Sequence, residues 1–190
     1  MKRELVERAA AGDRTAYEHL ARSSAGQLYA IAFRIVRDAD LAHDALQQAL
    51  IAMWQDLPSL REPDRFDAWT YRLIVRAATE EVRRGRRRTV PVRLVRISDG
   101  SESDEPAATD DALLGIGDRD AIERAFAQLT ADQRAAVVLR YYVGLTLDEI
   151  AVALAIPAGT AASRVHYGIR LLRASLEAAD RTVSSEAYTA

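Results

Sequence analysis

Apolar side chains recur along most of the chain at intervals of three and four residues, which is the period of a helix buried on one face. Three helices are predicted at the start: over residues 5–11, from an Asp13 N-cap to residue 20, and along an apolar stripe at 28–36. The clearest helix is predicted over 40–57, and Pro58 ends it. Its buried stripe consists of Ala42, Ala45, Leu46, Ala49, Leu50, Met53 and Leu57.

A turn-rich connector at 58–67 leads into a further helix, predicted over about residues 66–84. Trp54 and Trp69 both lie on or near apolar stripes, so both are predicted to be core residues rather than stacking platforms for a base. The segment 83–88 at the end of this helix carries five arginines in six residues. Such a run favours contact with phosphates over a merely solvated helix end.

Two capping boxes mark the starts of helices in the C-terminal part of the chain. Thr130 with Gln133 predicts a helix that continues to about residue 142. Thr146 with Glu149 predicts a short helix over 147–155. These signals favour a second all-helical region.

A turn at 156–159 and a longer helix from about residue 160 follow the short helix. This order is typical of a helix-turn-helix, and an ordinary helical hairpin is the alternative. DNA binding is favoured because no acid occurs between Glu149 and Glu177, while the last helix carries hydroxyls and arginines that suit base edges and phosphates. The side chains expected to be exposed on its first two turns are Thr160, Ser163, Arg164, His166 and Tyr167.

Charge is segregated along the chain, although the formal net charge is only −2. Residues 98–117 carry six acids and no base, and segment 97–117 contains Ser, Gly and Pro without an apolar period. This segment is predicted to be a flexible acidic linker between two helical domains. A long surface loop inside one domain is the alternative, but structureless loops of this length are uncommon in compact domains.

The composition of the chain excludes several classes of protein function. The chain has 190 residues and no cysteine, which excludes a disulfide scaffold, a thiol nucleophile and a cysteine zinc site. No apolar run is long enough to span a membrane and the N-terminus lacks an apolar signal region, so a soluble, cytoplasmic protein without membrane insertion is expected. No catalytic motif occurs, and the three histidines lie in separate segments, so no enzyme activity, metal site or cofactor is expected.

Both helical regions resemble domains of one family. The C-terminal residues LTADQRAAVVLRYYVGLTLDEIAVALAIPAGTAASRVHYGIRLLRASL resemble the promoter-reading C-terminal domain of bacterial RNA polymerase sigma factors. The sigma domain that binds core polymerase and opens the −10 element is similar to AAAGDRTAYEHL, LYAIAFRIVRDADLAHDALQQALIAMW and RFDAWTYRLIVRAATEEVRRGRRR. With only these two domains and a short linker, the chain resembles the extracytoplasmic-function class of the sigma-70 family.

The resemblance implies an all-α fold of two small helical domains joined by the acidic linker. It implies sigma domain 2 at 1–96, the linker at 97–117, sigma domain 4 at 118–180 and a C-terminal tail at 181–190. The expected partners are core RNA polymerase and promoter DNA, and an anti-sigma factor is left open. Two other classes stay open: a stand-alone helix-turn-helix regulator, and a helical interaction protein such as a partner-sequestering decoy.

In the family, the exposed face of the helix matching 40–57 docks on a coiled coil of the polymerase clamp. His43 and Gln48 stand where family members often carry glutamate, so the acidic character of this contact is thinned. The resemblance implies that the polymerase-binding residues are Asp40, His43, Asp44, Gln47, Gln48 and Ile51.

The connector and the helix after it match the elements that take an unpaired −10 base, for which arginines and aromatic faces are suited. Arg76 and Glu80 depart from the asparagine and aspartate that are frequent there, which puts the preferred base in question. The −10 candidates are Arg61, Arg65, Trp69, Arg72, Arg76, Arg83, Arg84, Arg86, Arg87 and Arg88.

The last helix is expected to contact the −35 element. Ala161 and Ala162 stand where valine and lysine are common in the family, so one phosphate contact is expected to be missing. The acidic linker resembles the family segment that enters the template and RNA-exit channel of polymerase. The −35 candidates are Ala158, Thr160, Ser163, Arg164, His166, Tyr167 and Arg170.

Overall fold

The structure is a computed structural model that describes residues 2–88 and 116–189, with side chains described for 2–85 and 122–178. All regular structure in these ranges is helical, which confirms the all-α fold class. Two single-turn 3₁₀ helices, Leu57–Ser59 and Pro63–Arg65, form the connector between the third and fourth α-helices. The α-helices are α1 (Lys2–Ala10), α2 (Arg14–Val36), α3 (Ala39–Asp56), α4 (Phe66–Arg88), α5 (Ile116–Ala127), α6 (Ala131–Tyr141), α7 (Leu147–Leu154) and α8 (Ala158–Thr189).

The helices predicted at 13–20 and 28–36 are one continuous helix, α2, so the prediction of two elements was wrong. The residues between them contain serines and Gly26 but no proline, and Gly26 lies inside the helix with open space around it. A glycine inside a helix costs about 1 kcal/mol. Burial of Leu20 and Ile31 on the same helix outweighs that cost, because each fully buried aliphatic side chain contributes about 1.5–3 kcal/mol.

Aspartate side chains cap the starts of α2 and α3. Asp13 accepts a hydrogen bond from the backbone N–H of Ala16 at 3.0 Å, and the Arg8 guanidinium lies 2.6 Å from its other oxygen. These two contacts hold the pKa of Asp13 below its ordinary value. The Asp13 cap therefore stabilises the fold above the unfolded-state pKa and is lost as the pH falls through the folded-state value. Asp38 caps α3 in the same way, through the N–H of Leu41 at 3.1 Å.

Both predicted capping boxes are present in the structure. Thr130 and Gln133 exchange side chain-to-backbone hydrogen bonds of 3.2 and 2.9 Å at the start of α6. Thr146 and Glu149 make the same exchange, at 3.3 and 2.8 Å, at the start of α7. The N–H and hydroxyl of Thr146 hold the pKa of Glu149 below its ordinary value. Ala155 ends α7 with a left-handed φ of 52°, and α8 follows after the predicted turn.

The two helical regions pack directly against each other. Helix α2 contacts α6, and α4 contacts both α6 and α7. Their buried apolar side chains belong to one continuous cluster that includes Ile31 and Ala78 from the first region and Ala135, Leu139 and Ile150 from the second. The sequence predicts two regions and a tether but does not predict this contact. The predicted linker lies almost entirely outside the described residues.

Gly168 allows α8 to pack closely on α6. A Cβ atom at this position would lie 2.6 Å from Cγ2 of the buried Val137. We therefore expect Gly168→Ala to destabilise the C-terminal helices by about 1–3 kcal/mol, because an added methyl overpacks this contact. Gly159→Ala in the same helix is the matched control, since Gly159 has open space around it and alanine is the better helix former. Thermal unfolding followed by circular dichroism measures both, and equal midpoints would contradict the prediction.

Candidate functional site

The outer face of α3 carries most of the residues predicted to bind polymerase. Five of the six predicted side chains are exposed, and the helix packs on α2 and α4 through the predicted apolar stripe. This face is open while the two helical regions are packed together, so a partner can reach it without separating them. The exposed residues are Asp40, His43, Asp44, Gln47 and Ile51.

Gln48 was predicted to face polymerase, but it is half-buried and lies between α3 and α4. Its Nε2 donates a hydrogen bond to Glu81 Oε1 at 2.5 Å. The Glu81 side chain is only 5% exposed and is also paired with Arg84. A buried carboxylate needs these donors, so the structure assigns Gln48 to helix packing and corrects the prediction that it lies on the exposed face.

Gln48→Ala is expected to lower the free energy of unfolding by about 1–3 kcal/mol, because Glu81 then loses one of its hydrogen-bond donors. Gln47→Ala is the matched control. The Gln47 side chain is exposed, so its loss should change the free energy of unfolding by less than about 0.5 kcal/mol. Urea titrations of the two variants give both values. A Gln48→Ala variant as stable as Gln47→Ala would show that the buried hydrogen bond is unimportant.

The two tryptophans occupy opposite environments. Trp69 is 8% exposed and packs with Phe66 in the cluster between α1, α2, α3 and α4, which confirms the core prediction and leaves its ring unable to stack on a base in this arrangement. Its placement among the −10 candidates is therefore corrected.

Trp54 was also predicted to be core, yet it is 42% exposed and meets Tyr17 edge-on at 4.8 Å. Because Trp54 follows Gln47 by seven residues, it extends the outer face of α3.

Arginines predicted to contact the −10 element lie along the connector and α4. Arg61 and Arg72 are exposed. Arg65 and Arg76 are also exposed but are paired with nearby acids, Arg65 with Glu62 in the connector and Arg76 with Glu80 in α4. Arg83 is exposed and reaches across to α6. The side chains of Arg86, Arg87 and Arg88 lie outside the described residues, so their role at the −10 element stays a prediction.

The −35 candidates on α8 divide into two groups. His166 and Tyr167 are exposed as predicted, and Ala158 and Arg170 are exposed as well. The Arg170 guanidinium lies 5.0 Å from the centre of the Tyr167 ring. Three others are half-buried, which corrects the prediction that they are fully exposed: Thr160, Ser163 and Arg164.

Contacts within the C-terminal region explain these half-buried side chains. The Ser163 hydroxyl donates to the backbone carbonyl of Thr160 at 2.9 Å, within its own helix. Nη2 of Arg164 donates to Asp132 Oδ2 on α6 at 3.2 Å. Ala161, one of the departures from the family, is fully buried, so its small side chain serves packing.

A groove of about 600 Å³ lies between α8 and the ends of α6 and α7. Tyr141 and Leu147 bring exposed apolar surface to it, and three arginines against the single acid Glu177 give its lining a net positive charge. The apolar pattern of the sequence does not predict Tyr141 or Leu147 to be surface residues. Their apolar character favours burial, and they are exposed because no other helix of the described residues packs over them.

The part of the chain that the structure describes holds no cluster of three or more His, Cys, Asp or Glu side chains that could bind a metal ion. Among the same residues, no helix is long and apolar enough to cross a membrane.

Family profiles match both helical regions. Sigma-70 region 2 matches residues 20–88, and sigma-70 region 4 matches residues 119–172. The chain is 33% identical over 173 residues to the ECF RNA polymerase sigma factor SigL of Mycobacterium tuberculosis, covering 90% of this chain and 95% of SigL. It is 31% identical over 169 residues to RNA polymerase sigma-H factor of Pseudomonas aeruginosa, covering 85% and 86% of the two chains.

Solved structures share the fold. CnrH, in its complex with the cytosolic domain of CnrY, aligns with a TM-score of 0.65 at 20% identity, over 93% of this chain and 97% of CnrH. RpoE of Bartonella quintana, in its complex with the anti-sigma factor NepR, aligns with a TM-score of 0.62 at 22% identity, over 85% and 96% of the two chains.

The helix-turn-helix, the α3 face and these matches define a transcription initiation factor. The chain belongs to the extracytoplasmic-function class of the sigma-70 family of RNA polymerase sigma factors. Its two regions are therefore sigma domains that bind RNA polymerase and promoter DNA.

Proposed function

We propose that this sigma factor docks on core polymerase through the outer face of α3, contacts the −10 element with the connector and α4, and contacts the −35 element with α8. The observation that carries the proposal is the exposed face of α3 opposite a packed apolar stripe, on the same chain as a helix-turn-helix. The proposed domain bounds are 1–96, 97–117, 118–180 and 181–190. The protein acts in the cytoplasm and has no catalytic activity of its own.

Run-off transcription with purified core polymerase tests this proposal. A sigma factor confers initiation at specific promoters on a core enzyme that otherwise lacks it, and a stand-alone regulator or a decoy does not. We expect discrete run-off products that depend on the added chain. Sequence-specific DNA binding without any gain in initiation would instead support the stand-alone regulator.

The two DNA surfaces should respond differently to substitution. Arg170→Ala removes an exposed arginine from α8 and should weaken binding of the −35 duplex by about 1–3 kcal/mol, with relaxed sequence preference. Replacing the arginines of segment 83–88 with glutamine should lower affinity for all sequences and flatten the salt dependence. Arg22→Ala, an exposed arginine on α2, is the control. Equal changes of sequence preference in both sets would contradict this division.

An anti-sigma factor is a further proposed partner. Support comes from the likeness to RpoE, which was solved in complex with the anti-sigma factor NepR, and from the cationic groove beside α8. Co-expression with the product of a neighbouring gene, followed by co-purification and loss of run-off activity, tests this partner.

A further inference from the structure

A single carboxylate on α6 joins arginines from both helical regions. Nη2 of Arg164 on α8 lies 3.2 Å from Asp132 Oδ2, and Nη2 of Arg83 on α4 lies 3.5 Å from Asp132 Oδ1. Both arginines are among the proposed DNA contacts, one for each promoter element. In this arrangement each of them is occupied by a protein anion.

Two further contacts join an arginine of the first helical region to a side chain of the second. Arg37 at the end of α2 pairs with Glu123 on α5 at 2.5 Å. The Arg34 guanidinium lies 3.9 Å from the centre of the Tyr142 ring, next to the end of α6. Arginines of the first region thus meet acids or an aromatic ring of the second, around the shared apolar cluster.

The packed arrangement is incompatible with simultaneous contact at both promoter elements. Elements centred near −10 and −35 are about 25 base pairs apart, or about 85 Å at 3.4 Å per base pair. Helices in contact lie about 8–10 Å apart, and the 23 residues of α4 span only about 35 Å. The chain between Arg88 and Ile116 can reach about 95 Å when fully extended. The two regions must therefore separate before both elements are bound.

We infer that Asp132 is an intramolecular latch: it stands in for a DNA phosphate, holds α6 against α4 in the free chain, and withholds Arg83 and Arg164 from DNA. This inference rests on the proposed function of the two arginines. Carboxylate and phosphate oxygens accept the same charge-assisted hydrogen bonds from guanidinium groups, so DNA and Asp132 compete for the same donors.

The latch leaves the outer face of α3 uncovered, so polymerase can bind the closed chain before the regions separate. The ion pairs are also weak enough to be reversible. Asp132 is 37% exposed, Arg83 62% and Arg164 27%, and exposed pairs of this kind shift an equilibrium only modestly. We expect loss of both pairs to change the ratio of open to closed chain by about three- to tenfold.

Asp132→Asn tests the latch because it keeps the shape of the side chain and removes its charge. Asp148→Asn is the matched control: Asp148 holds the same second position in the capping box of α7 and makes no ion pair with any side chain that the structure describes. Both variants lose one negative charge from the first turn of a helix. The readouts are affinity of the free full-length chain for a −35 duplex and energy transfer between dyes at Ser23→Cys and Ala174→Cys, which are unique sites in a chain without cysteine.

Asp132→Asn should lower energy transfer and raise duplex affinity about three- to tenfold, against about twofold or less for Asp148→Asn. Glu123→Gln, which touches neither DNA-contacting arginine, should also lower energy transfer and provides a second variant if Asp132→Asn does not fold. A folded Asp132→Asn variant with the same energy transfer and duplex affinity as the wild type would overturn the latch, whatever Glu123→Gln does. If Asp132→Asn does not fold, unchanged energy transfer in Glu123→Gln would overturn it. Run-off transcription by the wild type separates the outcomes: normal initiation with no latch effect refutes the latch alone, whereas absent initiation refutes the proposed function.

Discussion

Asp44→Arg combined with Gln47→Ala is expected to abolish co-purification of this sigma factor with core polymerase. Both side chains are exposed on the outer face of α3, so neither substitution disturbs the buried stripe or the packing on α2 and α4. On the proposed docking face, we expect the charge reversal and the truncation together to cost about 2 kcal/mol or more of binding free energy, which lowers affinity roughly thirtyfold or more. Pull-down of tagged core polymerase measures this loss, and circular dichroism checks that helical content is retained.

Asp56→Arg is the control for the charge reversal. Asp56 is an exposed acid on the same helix but lies twelve residues after Asp44, about 120° around the axis. We expect this variant to bind core polymerase as the wild type does. Unchanged co-purification of the double variant would remove polymerase docking from this face and would direct attention to the exposed groove beside α8.

The second large effect is the gain in promoter affinity on forming holoenzyme. We expect the holoenzyme to bind a promoter duplex about 10²–10⁴ times more tightly than the free chain at physiological salt. In the free chain, α4 and α8, the proposed −10 and −35 surfaces, belong to one packed body, so we expect contact with only one promoter element at a time. Polymerase that holds the two regions apart makes the second contact intramolecular, and effective concentration supplies a gain of this size.

A gel-shift titration of one promoter duplex with free chain, holoenzyme and holoenzyme carrying Arg170→Ala measures this gain. The last sample shows how much of the gain depends on the −35 contact. Tight, sequence-specific binding by the free full-length chain would contradict the prediction and would favour a stand-alone regulator.

The sequence by itself determined the local structure of this protein. The capping boxes at Thr130 and Thr146 and the apolar stripe of α3 each require only neighbouring residues, because helix starts are set by side chains within three positions and buried faces by the helical period. The family resemblance followed from these segments and their order. The sequence could not show that α2 is continuous, because burial along α2 outweighs the weak helix propensity around Gly26.

Only the tertiary structure decided which polar and aromatic side chains are free. Gln48 and Gln47 are adjacent and chemically identical, yet a buried Glu81 on a neighbouring helix engages one and not the other. The environments of the two tryptophans likewise depend on which helices cover them. In the sequence, Asp132 has the pattern of an ordinary acid in the first turn of a helix. Its partners Arg83 and Arg164 lie 49 and 32 residues away along the chain, on other helices. Such contacts depend on how distant elements pack, which no local spacing encodes.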